Sequence, residues 1–271
     1  MGKHIAFIGG GNMASAIISG LLRQGYSAGQ LAVVEPYEEA RQKLKASFGI
    51  QAQAVSGEAL QRADLVVWAV KPQTFKEAAL ATQAFTGRAL HLSVAAGIPS
   101  DSMARWLQTE RIVRAMPNTP ALIGKGITAL FARTGVSADD RAGVEEVVAT
   151  TGEFLWMAAE SQLDAVTALS GSGPAYVFYF LEAMQKAGED MGLPAAQAYR
   201  LAVSTFIGAG ELARASDEPP QVLRQRVTST GGTTHAALTS MAQSDVKTLF
   251  EKALKAAGAR ARELGREFGA E

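Results

Sequence analysis

The sequence contains no cysteine and only three histidines, His4, His91 and His235. The first absence removes disulfides, thiol nucleophiles, iron–sulfur clusters and thiolate zinc sites. The second leaves no histidine pair at ligand spacing, so no metal site is expected. No G-x-S-x-G elbow accompanies any of the three, which argues against a serine hydrolase. Excess charge is missing too. Lys+Arg is 26 and Asp+Glu is 26, for a formal net charge of zero. A sequence-independent nucleic-acid binder needs surplus positive charge to displace counterions, so no nucleic-acid partner is expected. Long apolar runs are absent: clean ones such as that at 65–70 fall far short of the roughly 20 residues that span a bilayer. The start, M-G-K-H-I-A-F-I-G-G, lacks the charged stretch and apolar core of a signal peptide, and Ala6 stands where myristoylation favours Ser or Thr. A soluble cytoplasmic protein with no membrane partner is expected.

What is present is apolar material for a sizeable core: 48% hydrophobic against 19% charged residues. A chain of 271 residues suggests two domains. Up to about residue 130, short apolar runs alternate with helical patterns. Strands are expected at 5–8, 31–34, 65–70, 89–94 and 112–116, with a weaker one at 127–131. Helices are expected after the first glycines and at 38–48, 75–83 and 100–107. Pro36 and Pro72 end strands, because proline cannot continue a ladder. This alternation implies βαβ units and a mostly parallel, doubly wound sheet of the α/β class. Beyond about residue 160 only helices are expected, at 175–191, 195–215, 219–227, 233–241 and 246–264. The first of these is apolar on most faces, through Tyr176, Val177, Phe178, Phe180 and Leu181, and such a helix must be buried. The reading is therefore an α/β Rossmann-type domain at 1–160 and an all-α dimerisation and substrate domain at 161–271 that forms a subunit interface.

Gly9-Gly10-Gly11-Asn12-Met13-Ala14 fits G-x-G-x-x-A between a strand and a helix. Gly9 permits the tight turn, Gly11 lets backbone approach a pyrophosphate, and Ala14 lets the helix pack on the strand. The helix start at Asn12 and Met13 offers free N–H groups and a partial positive charge to a phosphate. Glu35 ends the second strand, about 24 residues past Gly11, near the spacing of the acidic residue that binds the adenosine ribose. A carboxylate there favours NAD and repels the 2′-phosphate of NADP; Arg41 and Lys43 follow on the next helix and could offset that repulsion.

The string F-I-G-G-G-N-M-A is similar to the start of the pyrroline-5-carboxylate reductases. Four later segments resemble that family's motifs in its order: Ala69-Val70-Lys71-Pro72-Gln73, Ala95-Ala96-Gly97-Ile98, Arg114-Ala115-Met116-Pro117-Asn118-Thr119-Pro120-Ala121, and Leu169-Ser170-Gly171-Ser172-Gly173-Pro174-Ala175-Tyr176. Gly231-Gly232-Thr233-Thr234 adds a fifth. The resemblance runs from residue 5 to about 250. It implies reduction of L-1-pyrroline-5-carboxylate to L-proline, the last step of proline biosynthesis, with NADPH or NADH as hydride donor. It also implies a homodimer interlocked through the C-terminal helices, with rings of dimers in some members.

On this resemblance the cofactor would lie along Val70, Lys71 and Pro72, with the nicotinamide against Ala95, Ala96 and Gly97 and its site ordered by Asn118. Ser229, Gly231, Gly232 and Thr233 form a glycine turn entering a helix, suited to a carboxylate. Thr234 would aim its hydroxyl at the ring nitrogen as the catalytic group. Plain helix capping is the ordinary use of such Ser and Thr residues. Three departures stand out: Thr230 replaces the family's usual proline, Arg224-Gln225 replaces Lys-Asp, and Glu35 replaces a residue that tolerates phosphate. The competing readings are a β-hydroxyacid dehydrogenase or cyclic imine reductase on the same architecture, or a non-catalytic NAD(P)-sensing protein. The dehydrogenase needs a catalytic lysine on the first long C-terminal helix, where only Lys186 is on offer. A sensor has no need for the Thr233-Thr234 turn.

Overall fold

Residues 3–269 are described by a computed structural model. Seven strands form one sheet: β1 (Ile5–Ile8), β2 (Leu31–Val34), β3 (Leu65–Trp68), β4 (Leu90–Ser93), β5 (Ile112–Met116), β6 (Gly126–Ala132) and β7 (Gly152–Trp156). Their order is β2-β1-β3-β4-β5-β6-β7. The first five are parallel, β6 runs antiparallel to β5, and β7 is parallel to β6. The helices between them are α1 (Asn12–Arg23), α2 (Glu38–Phe48), α3 (Pro72–Thr86), α4 (Ser100–Leu107) and α5 (Ala138–Val148).

Alternation along the inner strands makes two cores, one on each face of the sheet. Ile5, Phe7, Leu65 and Val67 pack with Ile17, Ile18 and Leu21 of α1, Leu44 of α2, and Val144 and Val147 of α5. Ala6, Ile8, Val66 and Trp68 point the other way, against Phe75 and Ala79 of α3 and Met103, Trp106 and Leu107 of α4. Every residue of β1 and β3 is buried, as expected for strands covered on both faces. Trp68 joins Phe75 (ring centroids 4.9 Å apart), and Phe75 joins Trp106 (6.0 Å).

Several boundaries differ from the sequence expectation. β3 stops at Trp68, two residues early; Ala69 N–H still donates to the Ile8 carbonyl at 2.8 Å, and the Ala69 carbonyl lies against Gly9. α3 starts at Pro72 itself, which takes the first helical position where no N–H is needed. Neither α5 nor β7 was anticipated. α5 begins with a capping box, in which Ser137 Oγ accepts from Asp140 N–H and Asp140 Oδ2 accepts from Ser137 N–H, each at 3.1 Å. β7 opens on Gly152, whose φ of +139° suits glycine; a Cβ there would lie 2.1 Å from the Gly126 carbonyl oxygen.

After β7 the chain is helical: α6 (Gln162–Val166), a π-turn (Thr167–Gly171), α7 (Gly173–Asp190), α8 (Ala195–Arg214), α9 (Pro220–Arg226), α10 (Thr233–Gln243) and α11 (Val246–Gly269). By packing, the chain divides into a sheet-bearing unit, Met1–Ser172 with Ala257–Glu271, and a helical unit, Gly173–Ala256. Within the first, the end of α11 covers the turn after β4. A Cβ on Gly97 (φ +77°) would sit 3.4 Å from Leu264 Cβ, Phe268 packs against the second core, and Ser102 Oγ donates to the Gly269 carbonyl at 2.9 Å. Within the second, α7 and α8 approach closely where Gly188 faces Ala198: a Cβ on the glycine would lie 2.8 Å from that of the alanine. Phe250 takes the edges of Tyr176 and Phe180. Only Leu181 and Gly188 of α7 are buried, while Phe178 and Tyr179 are 58% and 68% exposed. A single chain therefore leaves much of the apolar helix uncovered.

Candidate active site

Ligands of open α/β sheets bind beyond the C-terminal strand ends, where the strand order reverses. Here that point lies between β1 and β3. Gly9 (φ +94°) donates to the Val34 carbonyl at 2.8 Å, and a Cβ on it would lie 2.5 Å from the Ala69 oxygen. Only glycine fits. Gly10 is equally confined, by Leu44 and Glu35. Gly11 differs: an added Cβ would meet no protein atom within 4 Å. Its lack of a side chain is not required by packing, and it keeps the approach to α1 clear. α1 opens with no side-chain cap and no acid in its first turn. Its first N–H groups, at Asn12, Met13 and Ala14, are thus available to an anion, and Ala14 is fully buried against the sheet. These features fit a dinucleotide pyrophosphate.

Glu35 is 6% exposed. Its Oε2 accepts from Gly10 N–H at 2.8 Å and its Oε1 from Tyr37 N–H at 2.9 Å. The carboxylate thereby ties the glycine turn to the end of β2. The sequence left the place of Arg41 and Lys43 open. Arg41 Nη1 donates to the carbonyls of Glu35 (3.0 Å) and Pro36 (2.6 Å), whereas Lys43 pairs in solvent with Glu39 at 2.8 Å.

The other sequence candidates of this unit lie along the same edge. Lys71 is exposed at the start of α3, between half-buried Val70 and Pro72, and its carbonyl accepts from Thr74 N–H and Oγ1, both at 3.1 Å. Ala95, Ala96 and Gly97 follow β4, with Ala95 N–H donating to Ser93 Oγ at 3.3 Å. Asn118 follows β5, and its Oδ1 accepts from Ile127 N–H at 3.0 Å, stapling the proline-flanked loop to β6.

One anchoring group escaped the sequence reading. Glu160 accepts from Arg114 Nη1 (2.6 Å), Ser100 N–H (2.6 Å) and Ser100 Oγ (2.5 Å). Arg114 is only 11% exposed. A single carboxylate thus fixes β5 just before Asn118 and the start of α4 just after Gly97. These three positions are far apart in the chain, and no spacing rule links them.

In the helical unit, Gly231 takes φ +75° and Gly232 is the N-cap of α10, its N–H donating to the Ser229 carbonyl at 3.1 Å. No side chain caps α10 and its first turn carries no acid. The Ser and Thr residues here do not perform the ordinary capping role. Ser229 and Thr233 are exposed and Thr234 is half-buried. His235 lines a mostly apolar cleft of about 620 Å³ with Phe180, Leu238 and Phe250. Lys186 is 70% exposed and paired with Asp190, which suits no catalytic lysine. Among the described residues, no cluster of His, Asp and Glu could hold a metal ion, and no helix is long and apolar enough to cross a membrane.

Comparison with known proteins agrees with this layout. Residues 4–97 match the family described as NADP oxidoreductase coenzyme F420-dependent, and residues 160–264 match pyrroline-5-carboxylate reductase dimerisation. The pyrroline-5-carboxylate reductase of Pseudomonas aeruginosa is 44% identical, with 98% of each chain covered. The solved structure of the Coxiella burnetii pyrroline-5-carboxylate reductase superposes with a TM-score of 0.89 at 37% identity, covering 97% of this chain and 98% of that one. That of the Plasmodium falciparum enzyme, with NADP bound, gives 0.87 at 27% identity over 97% and 98%. With the glycine turn, the uncapped α1 and the helical C-terminal segment in place, the chain belongs to the pyrroline-5-carboxylate reductase family of NAD(P)H-dependent oxidoreductases.

Proposed function

We propose that the chain reduces the C=N bond of L-1-pyrroline-5-carboxylate to give L-proline, the closing step of proline biosynthesis. When bound, the reduced nicotinamide supplies the hydride. The protein's share is binding, orientation and charge. The N–H groups at the start of α1 hold the pyrophosphate, Glu35 takes the adenosine ribose, and Val70, Lys71 and Pro72 flank the dinucleotide. The small residues Ala95, Ala96 and Gly97 admit the nicotinamide ring against backbone, while Asn118 keeps the neighbouring loop in place.

The substrate role falls to the turn of the helical unit, and the observation that carries it is the opening of α10. A helix start with no side-chain cap and no acid offers converging N–H donors and a partial positive charge. Ser229, Gly231, Gly232 and Thr233 surround that start and bind the substrate carboxylate. Thr234 hydrogen-bonds the ring nitrogen. An ordinary threonine hydroxyl is too weak an acid to protonate an imine, so the substrate arrives already protonated from solution. Hydride adds to the ring carbon, the C=N π pair moves onto the nitrogen, and the neutral amine forms with no further proton transfer from the protein. Thr234 then positions the cation and stabilises its nitrogen as charge shifts.

Three further points belong to this reading. The sheet domain at 1–160 carries the cofactor and the helical segment that follows carries substrate binding and dimerisation, supported by the dimerisation family's match over 160–264, while the last turns of α11 return to the sheet-bearing unit. The assembly is a homodimer through the C-terminal helices, able to extend to a ring of dimers. The enzyme works in the cytoplasm.

Incubating the purified chain with pyrroline-5-carboxylate and either NADPH or NADH tests the reaction. Oxidation of the nicotinamide with formation of proline is expected; no oxidation of either cofactor would refute it. Thr234→Ala should lower kcat roughly a hundredfold while cofactor affinity holds, and Thr234→Ser should restore much of the loss. An unchanged kcat in Thr234→Ala would remove the hydroxyl from the mechanism.

A further inference from the structure

The end of β2 carries two opposed charges. Glu35 is buried there, with one backbone N–H on each carboxylate oxygen. A carboxylate has about four acceptor positions, so capacity remains for a ribose hydroxyl. The charge cannot swing aside without leaving the Gly10 and Tyr37 N–H groups unpaired, and an exposed carboxylate would be under no such restraint. Arg41 lies at the same strand end. Its Nη1 group is spent on the carbonyls of Glu35 and Pro36, which leaves Nη2 and Nε to meet an anion at the rim. Lys43 and Glu38 take no part: Lys43 pairs with Glu39, and Glu38 accepts from Gln42 at 3.1 Å.

We propose that Glu35 selects NADH over NADPH in this chain and that Arg41 is a latent 2′-phosphate ligand which that selection overrides. The inference rests on the reading that the glycine turn and β2 hold the dinucleotide. The carboxylate is fixed in a desolvated setting, where charge acts strongly. Arg41 is only half-buried, so its charge is screened more than that of Glu35. The drier group prevails. NADPH binds with a penalty that Arg41 moderates, and removing Glu35 exposes the phosphate affinity already built beside it.

The experiment measures dissociation constants for NADH and NADPH by nicotinamide fluorescence, together with kcat/KM for each cofactor in the reductase assay, using the full chain. The unaltered chain should prefer NADH on both measures. Glu35→Ser should raise the NADPH-to-NADH ratio about tenfold or more, mainly through tighter NADPH binding. Adding Arg41→Ala to that variant should cancel most of the gain. Glu35→Gln keeps one backbone contact and most of the side-chain volume. It serves if the serine variant fails to fold, and it should move the ratio the same way. A preference for NADPH in the unaltered chain, or a ratio within about twofold after either Glu35 change, would overturn the proposal. Binding of both cofactors without turnover would defeat the reductase reading, while the dissociation constants would still decide the selectivity.

Discussion

Glu35 and His91 are both buried polar side chains, held by different physics. Glu35 keeps two backbone donors satisfied and so stabilises the glycine turn. His91 on β4 is 1% exposed, and its Nδ1 accepts from Trp68 Nε1 at 3.0 Å. Burial pushes its pKa down to about 4; a hydrogen bond with the Thr86 backbone opposes the shift, and the Arg111 charge adds to it. Protonation would also set an N–H against the Trp68 donor. The ring therefore stays neutral in the folded chain, while in the unfolded chain it takes a proton near its ordinary value of 6.5. The unfolded state binds more protons between these values, so stability is full above about pH 6.5 and falls as pH drops towards 4. The loss amounts to roughly 3 kcal/mol. Denaturant midpoints measured at pH 7.5 and 4.5 should differ accordingly, and His91→Gln should flatten that dependence while lowering stability throughout. The packing that buries His91 follows from β4 being an inner strand, legible from its apolar flanks; its partner Trp68 was not, because pairing across strands depends on register.

At the scale of elements, the parallel half of the sheet could be read from sequence because its strands are apolar on both faces and each is followed by a strong turn or helix signal. β1, β2, α2, α4 and β5 carry the expected limits. The far edge could not. β7 alternates half-buried and exposed residues, with Leu155 at 42% exposure, and α5 is rich in Asp and Glu with a narrow apolar side. Neither produces a periodic signal above the loops around it. The antiparallel turn of β6 is set by the Pro117–Pro120 loop and by Asn118 gripping Ile127, contacts that no pattern of hydrophobicity encodes. Of the candidate site, Gly9 and Gly10 were legible because their neighbours leave little room for anything larger, and Gly11 because the spacing of the motif marks it. The Glu160 anchor was not, because three distant segments supply it. Two element-level tests follow. Gly20→Ala places a Cβ 2.4 Å from that of Thr150, where α1 meets the 149–151 turn, and should cost about 1–3 kcal/mol by overpacking. Phe268→Ala loosens the end of α11 over the 97–99 turn. It should cost about 2 kcal/mol and raise KM for the cofactor more than it lowers kcat. Thermal melting and steady-state kinetics read both, and an unchanged cofactor KM in Phe268→Ala would uncouple α11 from the proposed nicotinamide site.

Among the described residues, many large apolar side chains of the helical unit are exposed. On α8, Tyr199, Leu201, Ile207 and Leu212 are all more than half exposed, beside the open face of α7. Surface of that kind marks association, in keeping with the dimerisation family matched by this segment. Ile207→Asp together with Leu212→Asp should therefore shift the protein towards monomer in light scattering at fixed concentration. An unaltered mass would exclude α8 from the interface.

α11 has one more consequence, which concerns time. The sheet-bearing unit is built from chain on both sides of the helical one, since it takes its covering turns from the residues after Ala257. On a ribosome adding about 5–20 residues per second, the sheet can assemble early, but the turn after β4 stays uncovered until all of Gly173–Ala256 has been made. A nascent chain would hold a formed glycine turn well before a covered turn after β4, so on the proposed reading the cofactor's phosphate end would find its seat several seconds ahead of its reactive end.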